Sequence, residues 1–243
     1  MRTILSYILT PLFHLYYGIL LIIFHIAQVI SLNLFGDKAR RKVIDGFNFC
    51  LVGGLYILGS RIKFSGFEKV PDNRPVIIVS NHQSMYDIPA VGYGFRKQYP
   101  KFISKLELAK NIPSVSYNLK HGKSALIDRK NGPQSVKEIF KLGKLIEEHN
   151  YAACIFPEGT RSKTGKIKKF MPAGINTLLR AAPSAIIVPF AINGHSKLME
   201  KGLFPLRVGQ RITYTVLDPI EPIGKDIDEL VNTLHFSIKE SLE

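Results

Sequence analysis

His82 and Asp87 are the residues whose types and spacing first indicate chemistry. They stand with four residues between them, directly after the apolar, β-branched run 76–80. A strand that turns through a loop into a helix can return the carboxylate to one imidazole nitrogen. The carboxylate would then fix the tautomer and stabilise the imidazolium, which leaves the other nitrogen as a general base. A purely structural histidine–aspartate hydrogen bond at a strand end is the alternative for such a pair taken alone.

The sequence places no protein nucleophile beside that base. There is no Gly-x-Ser-x-Gly elbow, and Cys154 lies within the apolar run 152–156, so we expect a small buried side chain there. A third metal ligand at suitable spacing is also missing, and no metal site is expected. The base is therefore predicted to activate a hydroxyl of a bound acceptor, which attacks an acyl donor directly.

A second cluster, residues 157–162, follows another apolar run and reads Pro-Glu-Gly-Thr-Arg-Ser. Gly159 permits a close approach of the backbone, Thr160 offers a hydroxyl, and Arg161 offers a planar fork for phosphate oxygens. These residue types predict an anion site. A turn that ends a strand, with a solvated arginine, is the alternative for this segment alone.

Two further cations follow short apolar runs. Arg129 comes just after the run 125–127 and is placed to reach the same anion, although a surface ion pair is equally compatible with the sequence. Lys105 comes just after the run 102–104 and is a candidate for binding a phosphate or an oxyanion.

The distribution of charge narrows the class of partner. The chain of 243 residues has 33 Lys and Arg against 19 Asp and Glu, a formal charge of +14, which favours a polyanionic partner. Residues 3–36 contain no Asp, Glu, Lys or Arg, which is typical of a membrane enzyme and unusual for a nucleic-acid-binding protein. The two cysteines, Cys50 and Cys154, suggest neither a disulfide framework nor a metal motif, so we expect a reduced, cytosol-facing body.

The apolar amino-terminal segment allows two arrangements. Residues 4–35 would form a helix about 48 Å long, against roughly 30 Å of bilayer hydrocarbon, and a second apolar run follows at 47–60. The two runs, separated by the basic residues 38–42, would form a hairpin within one leaflet. Alternatively, residues 12–35 would cross the bilayer once. Both arrangements place the rest of the chain on the cytoplasmic face of the cell membrane, and a cleaved signal peptide is disfavoured by the length of the segment.

The rest of the chain is predicted to be an α/β domain with a central, mostly parallel or mixed sheet flanked by helices. We therefore divide the chain into a membrane-associated two-helix element at 1–60 and the α/β domain at 61–243. Amphipathic stripes predict helices at 133–149, 175–182 and 228–242. Six apolar runs predict strands: 76–80, 102–104, 125–127, 152–156, 186–192 and 212–217.

Together these motifs resemble those of the 1-acylglycerol-3-phosphate acyltransferase family over roughly residues 60–220. Asn-His-x-Ser-x-x-Asp at 81–87 matches the first motif, and Phe-Pro-Glu-Gly-Thr-Arg-Ser at 156–162 matches the third. Val-Pro at 188–189 resembles the fourth. The second motif agrees at Ile-Asp-Arg, 127–129, but has Leu126 where the family commonly has Phe and Lys123 where it commonly has Gly.

The resemblance implies transfer of a fatty acyl group to the 2-hydroxyl of 1-acylglycerol-3-phosphate, giving phosphatidic acid. The donor would be carried on coenzyme A or acyl carrier protein, with no bound cofactor. His82 would be the base and Asp87 its orienting partner. Glu158, Gly159, Thr160 and Arg161 would bind the acceptor, and Arg129 would contact its phosphate. The resemblance also implies an amino-terminal helical element in the membrane, which favours the hairpin.

Two other interpretations stay open at this stage. The first is acylation of a different acceptor, such as another lysophospholipid or a lyso-aminolipid. The second is a non-catalytic peripheral membrane protein that binds anionic lipid through its basic surface.

Overall fold

The computed structural model describes residues 2–162 and 164–242. Within these residues the chain forms seven α-helices and seven β-strands. In chain order they are α1 (Arg2–Gly54), β1 (Arg61–Ser65), β2 (Val76–Ser80), α2 (Asp87–Gly94), β3 (Lys101–Lys105), α3 (Val115–His121), β4 (Ala125–Ile127), α4 (Gly132–His149), β5 (Ala152–Ile155), α5 (Pro172–Ala181), β6 (Ile186–Asn193), α6 (His195–Leu198), β7 (Arg211–Val216) and α7 (Ile227–Glu240).

The strands form one mixed sheet in the order β1-β7-β6-β2-β5-β3-β4. All neighbouring strands are parallel except β6 and β7, which are antiparallel. β2 lies near the centre and is buried along its whole length, as expected for a parallel strand covered on both faces. The α/β fold with a mixed sheet flanked by helices is therefore confirmed.

Each face of the sheet is covered by its own apolar core. Ile78 of β2 packs with Phe95 and Phe190 on the face of the sheet that is covered by the amino-terminal helix α1. Ile77, one residue earlier, packs on the opposite face among apolar side chains of α4, α5 and α7. Because successive side chains of a strand point to opposite faces, the loops at the carboxyl ends of the strands are held by both cores.

The amino-terminal helix α1 folds back on itself at Gly36, whose backbone (φ 77°, ψ −174°) is accessible mainly to glycine. The two arms, residues 2–35 and 37–54, pack against each other. The Phe24 and Phe47 ring centres lie 5.2 Å apart, and the Tyr16 hydroxyl donates to the Cys50 carbonyl over 3.0 Å. By length and composition, the helical segment is long and apolar enough to cross a membrane.

The connection between the arms differs from the expected one. Residues 38–42 are not the link but belong to the second helical arm, because Lys and Arg are good helix formers. Arg40 is fully buried and donates hydrogen bonds to Asp37, Tyr99 and Asn118, the last two being side chains of the body. Arg40, which was expected between the two helices, thus joins the hairpin to the α/β body.

The predicted strands and the three predicted helices are all confirmed to within a few residues. The edge strand β1 was not predicted. Its sequence alternates the charged Arg61 and Lys63 with Ile62 and Phe64, and it pairs with a single neighbour, β7. Charged side chains are common on edge strands, and they weaken the apolar signal on which the strand predictions relied.

Candidate active site

The His82 and Asp87 side chains meet as the sequence predicts. His82 follows β2, Asp87 is the first residue of α2, and His82 Nδ1 lies 2.8 Å from Asp87 Oδ2. The same oxygen accepts the backbone N–H groups of Gln83 and Ser84, at 2.7 and 2.9 Å. The loop between strand and helix therefore wraps around the carboxylate, which fixes the orientation of the imidazole.

The Asp87 carboxyl is fully buried. Burial raises its pKa, but hydrogen bonds from His195 and His82 outweigh that effect and hold the pKa well below its usual range. The group is therefore an anion that accepts the Nδ1 proton of His82. Nε2 of His82, on a side chain that is 16 % exposed, is left as the basic nitrogen on the wall of a cavity.

Residues 156–162 hold His82 from the other side. The Phe156 ring stacks on the imidazole, with ring centres 4.2 Å apart and an interplanar angle of 22°. Glu158 Oε1 accepts the His82 backbone N–H over 2.7 Å, and the Ser162 N–H donates to the His82 carbonyl over 2.8 Å. The two sequence motifs are thus joined by direct hydrogen bonds.

Glu158 occupies a buried position in this arrangement. Its second oxygen accepts the Lys168 backbone N–H over 3.0 Å, so each carboxylate oxygen serves a backbone group. Burial raises the pKa of Glu158, and these two hydrogen bonds oppose the rise. Among the residues that the structure describes, those that line the cavity do not include Glu158. Its contact with the acceptor therefore stays a prediction.

Gly159, Thr160 and Arg161 line the mouth of the cavity. Gly159 has a φ of 71° and closes a tight turn by donating its N–H to the Phe156 carbonyl over 3.0 Å, a conformation that favours glycine. The Lys168 amine donates to Thr160 Oγ1 at 2.8 Å and to the Arg161 carbonyl at 3.1 Å. The turn is therefore braced, and it presents the Arg161 side chain to solvent.

The strand order brings the other predicted cations to the same place. β5, β3 and β4 are adjacent and parallel, so Lys105, the last residue of β3, lies at the same edge of the sheet as Arg129 and Arg161, which follow β4 and β5. Burial lowers the pKa of Arg129, Glu107 raises it, and the positive charge of Arg161 lowers it further. In the part of the chain that the structure describes, none of the three cations has a carboxylate within 4.0 Å. This arrangement suits a bound anion.

The cavity has a volume of about 1110 Å³ and runs from His82 and Arg161 to Tyr99 and Lys101. Between these ends its walls are mostly apolar and come from the hairpin, α2, β3 and α3. They include Ile44, Phe47, Leu51, Ile88, Phe102, Ile103, Val115 and Leu119. A long apolar cavity that ends at a base and a group of cations is suited to an extended hydrocarbon chain with a polar head.

Lys101, which the sequence analysis did not single out, lies at the far end of the cavity. It is 4 % exposed, and its amine lies 3.4 Å from the centre of the Tyr99 ring. Burial and the nearby charges of Arg41 and Arg40 lower the pKa of Lys101 to about 6. The contact with Tyr99 favours the ammonium form and opposes part of that shift.

We predict that Lys101→Met stabilises the protein most at low pH. The unfolded chain binds the lysine proton up to about pH 10, whereas the folded protein releases it above about pH 6. Folding is therefore penalised fully below pH 6, and the penalty falls as the pH rises towards 10. Urea unfolding in detergent is expected to show a gain on the order of a few kcal/mol at pH 6 that shrinks by pH 9. Lys105→Met, at the exposed end of the same strand, is the control, and equal gains in the two variants would contradict the prediction.

His195 is a further residue that the sequence analysis missed. It follows β6 and is fully buried, and its Nδ1 lies 2.5 Å from Asp87 Oδ1. The available signal was position, because His195 follows the carboxyl end of a predicted strand, just as His82 does.

Residues 61–193 match the family model described as Acyltransferase. The chain belongs to the acyltransferase family. Two curated relatives of this acyltransferase are described as 1-acyl-sn-glycerol-3-phosphate acyltransferases. The chloroplastic protein of Arabidopsis thaliana is 28% identical over 75% of this chain and 49% of its own length. The protein of Pseudomonas aeruginosa is 28% identical over 79% of this chain and 70% of its own.

A solved structure supports the same assignment. The crystal structure of the 1-acyl-sn-glycerophosphate acyltransferase PlsC from Thermotoga maritima has a TM-score of 0.81 and 26% identity, covering 99% of this acyltransferase and 96% of that chain. The resemblance found in the motifs is thereby confirmed. The chain spans about half to two thirds of the length of the first curated relatives that it matches.

Proposed function

We propose that the protein transfers a fatty acyl group from a thioester to the 2-hydroxyl of 1-acylglycerol-3-phosphate, giving phosphatidic acid. The observation that carries the proposal is the meeting, at one cavity mouth, of the His82 base with the cations Lys105, Arg129 and Arg161. The names of the Arabidopsis, Pseudomonas and Thermotoga relatives support this acceptor.

In the proposed reaction the acceptor phosphate binds Arg129 and Arg161, and the free 2-hydroxyl faces His82 Nε2. His82 takes the hydroxyl proton while the oxygen forms a bond to the thioester carbonyl carbon, and Asp87 stabilises the imidazolium. The tetrahedral intermediate then expels the thiolate, which receives the proton from His82. Lys105 or backbone N–H groups near it would stabilise the oxyanion.

The apolar cavity would hold a hydrocarbon chain of the substrates. Its walls come from both the hairpin and the α/β body, so the hairpin has a part in substrate binding as well as in anchoring. The donor would be acyl-coenzyme A or acyl-acyl carrier protein, whose phosphates suit the basic surface implied by the charge of +14.

We further propose that the hairpin lies in one leaflet of the cell membrane, with the catalytic body on the cytoplasmic face. The first arm is tied to the body at widely separated points: Ser6 and Thr10 accept the backbone N–H groups of Val208 and Leu206, and Gln28 bonds Ser114. A helix fixed along its length to a folded body favours a shallow position over a separate span. Large apolar side chains exposed on this arm would face lipid: Ile4, Ile8, Leu12, Leu15, Ile19, Ile22, Ile23, Ile26, Ile30 and Leu34.

Release of free thiol from acyl-coenzyme A by the purified protein in mixed micelles would test the function. Release that depends on 1-acylglycerol-3-phosphate is expected. Acyl-acyl carrier protein in a parallel reaction tests the other donor. Equal or faster release with lysophospholipids that lack a phosphate monoester would overturn the acceptor assignment. Binding to anionic vesicles without thiol release from either donor would instead indicate a non-catalytic lipid-binding protein.

Arg161→Ala is expected to raise the KM for the acceptor about 10–100-fold with a smaller change in kcat. A hydrogen-bonded charge contributes about 1.5–3 kcal/mol, and the phosphate is held alike in the ground and transition states. Initial rates at varied acceptor concentration check this. Arg180→Ala, which removes an exposed arginine from α5, is the control, and unchanged kinetics for Arg161→Ala would remove Arg161 from the site.

Leu119→Trp is expected to shift the preference towards shorter acyl donors. Leu119 is 6 % exposed and lines the apolar part of the cavity, so a larger ring there takes space from the end of a long chain. The ratio of kcat/KM for a 16-carbon donor to that for a 10-carbon donor should fall about tenfold or more, on the order of the energy of one or two buried methylenes. Because both donors are compared on the same variant, the effect of partial unfolding cancels in the ratio. An unchanged ratio would exclude this part of the cavity as the binding site of the donor's acyl chain.

A further inference from the structure

A line of hydrogen bonds runs inward from His82, beyond the Asp87 carboxylate. While Oδ2 of Asp87 accepts from His82, Oδ1 lies 2.5 Å from Nδ1 of His195. The other ring nitrogen of His195, Nε2, lies 2.8 Å from the Tyr214 hydroxyl. His195 and Tyr214 are both fully buried, so neither touches a substrate in the cavity.

The hydrogen-bond partners of Tyr214 and His195 determine which atom of each side chain carries its proton. Burial, with a contribution from the Asp87 charge, raises the pKa of Tyr214 well above its ordinary value, so its hydroxyl keeps its proton. In the part of the chain that the structure describes, that hydroxyl has a single hydrogen-bond partner, Nε2 of His195. Tyr214 therefore donates to Nε2, and the proton of a neutral His195 lies on Nδ1, where it is donated to Asp87.

We propose that His195 is a positioning residue for the reaction: its Nδ1–H, fixed by Tyr214, holds the Asp87 carboxylate in the orientation that His82 requires. A carboxylate turns readily about its last torsion. Here Oδ1 is held by His195 and by the Ser84 hydroxyl at 3.1 Å, which leaves Oδ2 for His82.

Tyr214 and His195 are both held in place by strands of the sheet. Tyr214 belongs to β7, and its ring centre lies 4.6 Å from that of Phe64 in the neighbouring strand β1. His195 follows β6, the other neighbour of β7. The orientation of the catalytic carboxylate is thus set from the edge half of the sheet, away from the cations that bind the acceptor.

The proposal rests on the proposed acyl transfer, and two polar substitutions of His195 test it. His195→Asn keeps an N–H at the position of Nδ1, whereas His195→Gln places its amide towards Tyr214 and removes the donor to Asp87. For Asn we expect kcat within about threefold of wild type. For Gln we expect a fall of about tenfold, or ~1.4 kcal/mol, with the acceptor KM unchanged in both variants.

Tyr214→Phe supplies an independent variant that removes one hydroxyl and keeps the ring. It frees Nε2 of His195, so we expect kcat to fall about threefold or more at an unchanged KM. Equal kcat values for the Asn and Gln variants, or a Tyr214→Phe protein with wild-type kcat, would overturn the positioning role. A wild-type protein that releases no thiol would instead overturn the proposed function, so the two failures are distinguishable.

Discussion

Replacement of His82 by alanine is expected to lower kcat by about 10²–10⁴-fold, or roughly 3–5 kcal/mol of barrier. In the proposed reaction the imidazole is the base: Nδ1 is hydrogen-bonded to Asp87, and Nε2, at the cavity, would take the acceptor proton. The acceptor KM should change little, because the proposed phosphate contacts are Arg129 and Arg161. Thiol release at saturating acceptor measures the effect.

The control for this experiment is His149→Ala, which removes an exposed histidine at the end of α4 and should leave kcat unchanged. Circular dichroism and co-sedimentation with vesicles establish that the His82 variant is folded and membrane-bound. If such a protein retains full acyl transfer, His82 is not the base and the proposed mechanism is wrong.

Asp87→Asn is expected to have an effect of similar size on kcat. The carboxylate accepts hydrogen bonds from His82, His195, Gln83, Ser84 N–H and the Ser84 hydroxyl. An amide has one oxygen, so its NH2 group must face some of these donors. The backbone N–H groups of Gln83 and Ser84 keep the amide oxygen at the position of Oδ2, so the NH2 group faces His195, and His82 loses the negative charge that would stabilise its imidazolium. The same substitution in a serine-protease triad costs about 10⁴-fold.

Two measurements check Asp87→Asn: thiol release at saturating acceptor gives kcat, and unfolding at a series of pH values gives the free energy of unfolding. In the wild-type protein the pKa of Asp87 is lowered by folding, so the carboxylate stabilises the fold above its unfolded value of about 3.9 and loses that effect as the pH falls below it. The variant should therefore be less stable than wild type at pH 7, with a gap that narrows below about pH 4. Asp218→Asn, an exposed carboxylate, serves as the control. A gap that widens in acid would contradict the lowered pKa.

Hydrogen bonds between residues 81–87 and residues 156–162 give a physical reason why the two motifs occur together in one protein. Glu158 and Ser162 bond the backbone of His82 on either side of its side chain, and Phe156 stacks on the ring. The segment that carries Arg161, the proposed acceptor contact, is therefore also the segment that holds His82, the proposed base. A change at Glu158 is expected to reach the reaction through His82, whether or not its carboxylate also contacts a substrate.

The features that were predicted correctly depend on residues that are neighbours along the chain. His82 and Asp87 are five positions apart, so a strand followed by a helix was enough to predict their hydrogen bond. The runs 76–80 and 152–156 became strands because β-branched and apolar side chains suit a buried sheet. Helix α4 followed from its apolar stripe, with Asn131 capping its first turn.

Which of these segments come into contact depends on the fold of the whole chain. Arg129 and Arg161 share one cavity mouth because β4 and β5 both flank β3, and no local pattern encodes strand order. His195 lies 108 residues beyond Asp87, and Tyr214 a further 19, so their hydrogen bonds to the site exist only after β6 and β7 pair. Periodicity and residue type act over a few residues, whereas the partner of a buried polar group is chosen by the packing of the whole sheet.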